Sequence, residues 1–168
     1  MSQVERYNDE ASKLLENGAA RRMVGINGNL YHPTDQMSGA EWNDFDIAII
    51  SMALHHVRNP VDMLRRLKER LRPGGTLIVV EFLGKKDKSG NDERQYDPSN
   101  MVEVIGKQKI WPGFTTGNLE SDLKKAGFEG FEVRVLEEPA HVPQSASQGN
   151  FSGEQRCFFA KAYVPAHV

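Results

Sequence analysis

The chain has 168 residues, 39% hydrophobic and 26% charged, which is enough apolar material for one core and too much for a disordered or fibrous chain. With 21 Lys plus Arg against 23 Asp plus Glu, the net charge is −2, and no basic face for duplex nucleic acid is implied. The lone cysteine, Cys157, excludes an internal disulfide and a Cys-rich zinc centre within one chain.

Val4, Tyr7, Ala11, Leu14 and Leu15 recur at helical spacing, and Asn17-Gly18 supplies a stop, so residues 3–16 are predicted to be an amphipathic helix. Met23 to Gly28 is a short, glycine-diluted apolar stretch, expected to be a strand. Tyr31 to Asn43 reads as loop with one helical turn. Phe45-Asp46-Ile47-Ala48-Ile49-Ile50-Ser51 is a β-branched run, the pattern of a strand in a parallel sheet. This run is far too short to span a bilayer, and the polar start predicts no secretory leader, so a cytoplasmic protein without membrane contact is expected.

Asn59-Pro60 is an N-cap followed by proline at the first helical position. Val61, Leu64, Leu67 and Leu71 continue at helical spacing before Arg72-Pro73-Gly74-Gly75 turns the chain. Thr76 to Phe82 is a second apolar strand, completing a strand–helix–strand crossover between parallel neighbours. Residues 84–100 are polar, long for a connection, and expected to be a mobile loop. Ser99 to Ile110 is predicted as a helix, and Asn118 to Ala126 as another, ended by Gly127. Phe128 to Leu136 and Cys157 to Val164 are predicted strands with a Ser/Gln/Gly loop, Pro143 to Gly153, between them. No helix joins these two strands, so they are expected to pair antiparallel.

Ligands of open parallel sheets bind beyond the carboxyl ends of the strands, which here means Ser51-Met52-Ala53-Leu54-His55-His56. Ser51 to Ala53 can line a crevice and His55 or His56 can reach a substrate; equally, Met52 and Leu54 can be packing residues beside a solvated His-His loop. Consecutive residues do not share a helix face, so no metal centre is expected. Ser51 lacks the flanking glycines of a hydrolase elbow. No two of the 15 glycines are separated by a single residue, so neither a dinucleotide fingerprint nor a Walker loop is present.

The segment Phe45 to Val57, with Asn59-Pro60 and then Leu71-Arg72-Pro73-Gly74-Gly75-Thr76-Leu77-Ile78-Val79, resembles the class I S-adenosylmethionine-dependent methyltransferases, most of all their small-molecule branch. Tyr7 to Ala11 is similar to the helix after that family's second strand, Ile26 to Leu30 to the end of its third strand, and Leu123 to Phe128 to its last helix and the turn beyond. The resemblance implies an α/β fold: a Rossmann-like, mostly parallel sheet with helices on both faces and an antiparallel C-terminal strand pair, in a single domain over 1–168. It implies S-adenosylmethionine as cofactor, with Asn29 and Leu30 near the adenine, Ser51, Met52 and Ala53 lining the cofactor, and His55 or His56 facing the transferred methyl or a small-molecule acceptor. It also implies that the domain is truncated at its N-terminus, lacking the family's first two strands and their glycine loop. The edge of the 45–51 strand is then exposed, and a homodimer or a partner protein is expected to pair there. A non-catalytic, methyltransferase-like interaction module or a truncated pseudo-enzyme is the alternative to an enzyme.

Overall fold

The computed structural model describes residues 2–14, 24–32, 37–84, 102–103, 109–110, 113–142 and 153–166, in two compact units, Met1–Ser38 and Gly39–Val168. In the first unit, helix α1 spans Gln3–Leu14. It opens with a capping box: the Ser2 N–H donates to Glu5 Oε2 at 2.6 Å, and the Glu5 N–H donates to Ser2 Oγ at 3.1 Å.

The strand expected at 23–28 is not formed: residues 24–29 carry no ladder. The Asn8 side chain takes the place of a neighbouring strand. Its Oδ1 accepts from the Gly25 N–H at 2.5 Å and its Nδ2 donates to the Gly25 carbonyl at 3.0 Å. Gly25 leaves room for the Tyr7 ring, since a Cβ there would lie 2.9 Å from Tyr7 Cδ1.

The second unit is built on a four-stranded sheet. Its strands are β1 (Phe45–Ser51), β2 (Leu71–Phe82), β5 (Glu129–Val135) and β8 (Cys157–Tyr163), in the order β1-β2-β8-β5. β1 and β2 are parallel, and β8 is antiparallel to both β2 and β5, so three of the four strands run one way. This is the expected mostly parallel α/β sheet with an antiparallel C-terminal pair.

Helix α2 (Pro60–Lys68) crosses between β1 and β2. Asn59 caps it by accepting from the Asp62 N–H at 3.2 Å. Leu71 does not extend this helix as its spacing suggested. Arg70 closes a turn on Leu67, and Leu71 pairs with Phe45 at the start of β2. The register then jumps from Phe45↔Leu71 to Ile47↔Thr76, so Arg72-Pro73-Gly74-Gly75 is accommodated as a bulge. A Cβ at Gly75 would lie 2.8 Å from the Arg72 carbonyl oxygen and 3.1 Å from that of Phe45, so only glycine lets these backbones meet.

Helix α3 (Thr116–Lys125) starts two residues ahead of its predicted start, because Thr115 caps it by accepting from the Asn118 N–H. Leu64 of α2 and Leu119 and Leu123 of α3 pack with Leu77, Val79, Phe158, Ala160 and Ala162 into one core on one sheet face. The helical layer expected on the opposite face is not formed by any described helix of this unit, and Ile47, Ile49 and Phe159 there are 56%, 63% and 45% exposed.

The helix expected over 99–110 is contradicted where it can be seen. Val102–Glu103 (β3) and Lys109–Ile110 (β4) form a short antiparallel pair. Val102, Val104, Ile105 and Ile110 favour extended backbone, and Gly106 interrupts a helix. A further pair, β6 (Ala140–Val142) with β7 (Gly153–Gln155), continues the β5–β8 hairpin and had no counterpart in the sequence reading. The predicted loops at 84–100 and 143–153 lie outside the described residues, except for Gly84 and Gly153.

Candidate active site

The carboxyl end of β1 breaks off abruptly. Ser51 still pairs with Val80, and the Met52 N–H donates to the Val80 carbonyl at 2.9 Å. Met52 then adopts φ 48°, a left-handed conformation uncommon outside glycine, and the chain leaves the sheet. Ser51 and Ala53 are exposed and Met52 is half-buried. A single 3-10 turn, Leu54–His56, follows.

That turn is held by a residue the sequence reading did not single out. Glu81, fully buried at 0% exposure near the end of β2, accepts from the Leu54 N–H at 2.7 Å and the His55 N–H at 3.2 Å through Oε1. Its Oε2 lies 2.7 Å from His55 Nδ1 and accepts from the Phe82 N–H at 3.3 Å. A carboxylate only accepts, so Nδ1 is the donor and Nε2 is the basic nitrogen of the neutral ring. Glu81 was legible in principle. It is the one charged residue in Thr76 to Phe82, and its phase matches Leu77 and Val79, which line the core. A carboxylate placed there requires buried partners.

The two histidines therefore separate into different roles. His55 is 4% exposed, fixed by Glu81, with the Phe82 ring 5.5 Å from its own. His56 is exposed, its ring 4.3 Å from that of His55. Burial, and then the neighbouring His55, hold the His56 imidazolium below the ordinary value of 6.5, with the Glu81 charge pulling the other way. Leu54 is the packing residue the plain reading anticipated; His55 is not part of a solvated loop.

Asn29 and Leu30 belong to the first unit. Asn29 is exposed, and its Oδ1 accepts from the Tyr31 N–H at 3.0 Å in a local turn; Leu30 is half-buried. Among the described residues no group of three or more His, Cys, Asp or Glu side chains could hold a metal, and no helix is long and apolar enough to cross a membrane.

A family model of the methyltransferase domain matches residues 4–133. The chain belongs to the S-adenosylmethionine-dependent methyltransferases. It is 26% identical over 106 residues to the squalestatin tetraketide synthase of Phoma sp. (strain C2932), a match covering 60% of this chain and 4% of the synthase. It is 29% identical over 113 residues to the tRNA U34 carboxymethyltransferase of Pseudoalteromonas atlantica, covering 64% of this chain and 32% of that protein. The chain thus spans a minor part of either relative. Among solved structures, the CMeT domain of citrinin polyketide synthase aligns with a TM-score of 0.52 at 14% identity, covering 96% of this chain and 36% of that one. A methyltransferase candidate from Bacillus halodurans C-125 aligns with a TM-score of 0.56 at 15% identity, covering 96% and 80%. These structural likenesses show a shared fold.

Proposed function

We propose that this methyltransferase domain uses S-adenosylmethionine to methylate a small-molecule acceptor whose reacting atom must first lose a proton. The observation that carries this reading is the His55–Glu81 pair at the carboxyl ends of β1 and β2. A histidine whose Nδ1–H is held by a carboxylate presents Nε2 as a base of fixed orientation, and Glu81 stabilises the imidazolium once the proton arrives. His56, whose charged form is disfavoured by desolvation and then by the neighbouring His55, is the second candidate base, nearer solvent.

The cofactor, when bound, supplies a methyl group already activated by its sulfonium charge. The chain's contribution is orientation and proton removal. Ser51, Met52 and Ala53 fit the cofactor's flat adenosine part as an open ledge: two small exposed side chains and a left-handed turn that clears the strand end. No Gly-x-Gly turn is present in this sequence for the methionine part.

The test is a thermal melt with S-adenosylmethionine, followed by transfer of labelled methyl to a panel of phenols, enols and carbon acids. Ligand at about 100 times Kd stabilises by about 2.7 kcal/mol. His55→Gln is expected to lower kcat/KM by about 100-fold or more. A wild-type melt unmoved by millimolar cofactor, or a His55→Gln variant as active as wild type, overturns the reading.

A second reading, an interaction module, is favoured by the β1 edge. Ile47 and Ile49 are exposed there, and the edge's lone charge, Asp46, is engaged by Arg72 at 2.6 Å. Nothing on the strand then guards against pairing with a second copy. Sedimentation tests it: a dimer that Ile49→Lys turns into a monomer supports it, and a wild-type monomer at 100 μM (roughly the weak-dimer range) overturns it.

A further inference from the structure

We infer that the cavity at the bend between β5 and β6 receives the apolar body of the methyl acceptor, with Ala140 limiting the size it admits; this rests on the reading above. The cavity measures about 430 Å³, within the range of small-molecule pockets. Leu136, Ala140 and the buried Cys157 supply an apolar side, and the exposed Arg134, Glu137 and Glu138 supply a charged one. The side formed by Leu136, Ala140 and Cys157 suits an uncharged aliphatic or aromatic body.

Its position ties it to the dyad. Cys157 pairs with Phe82 across β8 and β2, and these two residues form a cluster with Met52, Leu136 and Ala140. Met52 belongs to the ledge, and the Phe82 ring lies beside His55. The cavity wall at Cys157 thus belongs to the same packed cluster that touches the ledge at Met52 and places the Phe82 ring 5.5 Å from that of His55. Cys157 is a wall and not a nucleophile: burial first, then the Glu81 charge, push its thiol up, so the unreactive protonated form prevails. Its sulfur donates to the Gln155 carbonyl at 3.9 Å and is hydrogen-bonded by the Ala140 backbone on β6. The other groove, about 290 Å³ around Ile78, Phe159 and Lys161, sits lower on the open sheet face, away from the strand ends.

The experiment is a methyl-detected NMR titration of the full chain with 2-naphthol, an apolar body bearing one ionisable hydroxyl. We expect shifts and intermolecular Overhauser contacts at the methyls of Ala140 and Leu136, and a Kd at least about tenfold weaker in Ala140→Phe. Contacts confined to Ile78 and Phe159, or none at all, overturn the inference, as does unchanged affinity in a folded Ala140→Phe variant. If that variant does not fold, the wild-type contacts decide alone. Contacts at Ala140 without methyl transfer to any acceptor refute the catalytic reading and leave a binding cavity. Transfer without these contacts refutes the cavity's role.

Discussion

Replacing Glu81 tests both the architecture and the chemistry. Its carboxylate accepts from three backbone N–H groups and from His55 Nδ1, all in buried surroundings. Glu81→Ala strands those four donors and leaves a void. Hydrogen bonds to a charged group contribute about 1.5–3 kcal/mol each, but four bonds to one group do not add. Breaking a buried pair by removing one partner costs about 3–5 kcal/mol, and we take that as the expected loss. In a chain of this size it corresponds to a melting temperature lower by about 6–20 °C. Glu81→Gln keeps an oxygen for Leu54 and His55 but turns an amide N–H₂ toward Nδ1 and the Phe82 N–H. It should cost about 1–3 kcal/mol, because His55 can shift its proton to Nε2 and accept at Nδ1. That shift removes the basic Nε2, so methyl transfer should fall further than stability does. Urea unfolding followed by far-UV circular dichroism gives the energies, and NMR of the imidazole nitrogens gives the tautomer. A Glu81→Ala cost under about 1 kcal/mol would refute the clamp. An unchanged His55 tautomer in Glu81→Gln would refute the orienting role.

His56 should titrate below 6.5 in the folded chain, and His55→Gln should raise its midpoint by removing one of the two lowering influences. Because the folded value lies below the unfolded one, the unfolded chain binds the proton more readily. This group's contribution is therefore complete above the ordinary histidine range and is lost as pH falls through 6.5 towards the folded value, a trend that urea midpoints in His56→Gln should flatten. Cys157, buried and pushed up in pKa, should react with a thiol reagent at pH 8 at least about tenfold more slowly in native than in unfolded chain; equal rates would contradict its burial. Asn8→Ala removes both hydrogen bonds to Gly25 and should cost the first unit about 1–2 kcal/mol, with faster amide exchange at Gly25 as the local readout.

What the sequence disclosed followed how local the determinants were. The run 45–51, the Asn59-Pro60 cap and the stop at Gly127 are each fixed by a few adjacent residues, and each appears where predicted. Leu71 went astray because helical spacing cannot say whether a leucine one turn past Leu67 ends a helix or opens a strand; the partner Phe45, 26 residues upstream, decides it. The segment 24–29 is held by a side chain from α1, a contact with no periodic trace. The β6–β7 pair joins residues on either side of a polar stretch, and pairing across such a gap leaves no mark on either short segment.

The site divides along the same line. The resemblance pointed to His55 and His56 as equals, and local sequence could not separate adjacent histidines. The structure separates them by strand phase. Glu81 faces the core in step with Leu77 and Val79, and the turn after β1 brings His55, but not His56, into line with it. A carboxylate at this depth is costly unless its hydrogen bonds are met, and the turn that meets them is the one that ends the ledge at Ser51–Ala53. The carboxylate that holds the chain's exit from β1 through Oε1 thus also orients the His55 ring through Oε2. The double-mutant cycle of Glu81→Ala with His55→Ala should therefore show a coupling of about 0.5–3 kcal/mol in stability. Additive losses would mean that the two side chains are neighbours without being partners, and the catalytic reading would lose its foundation.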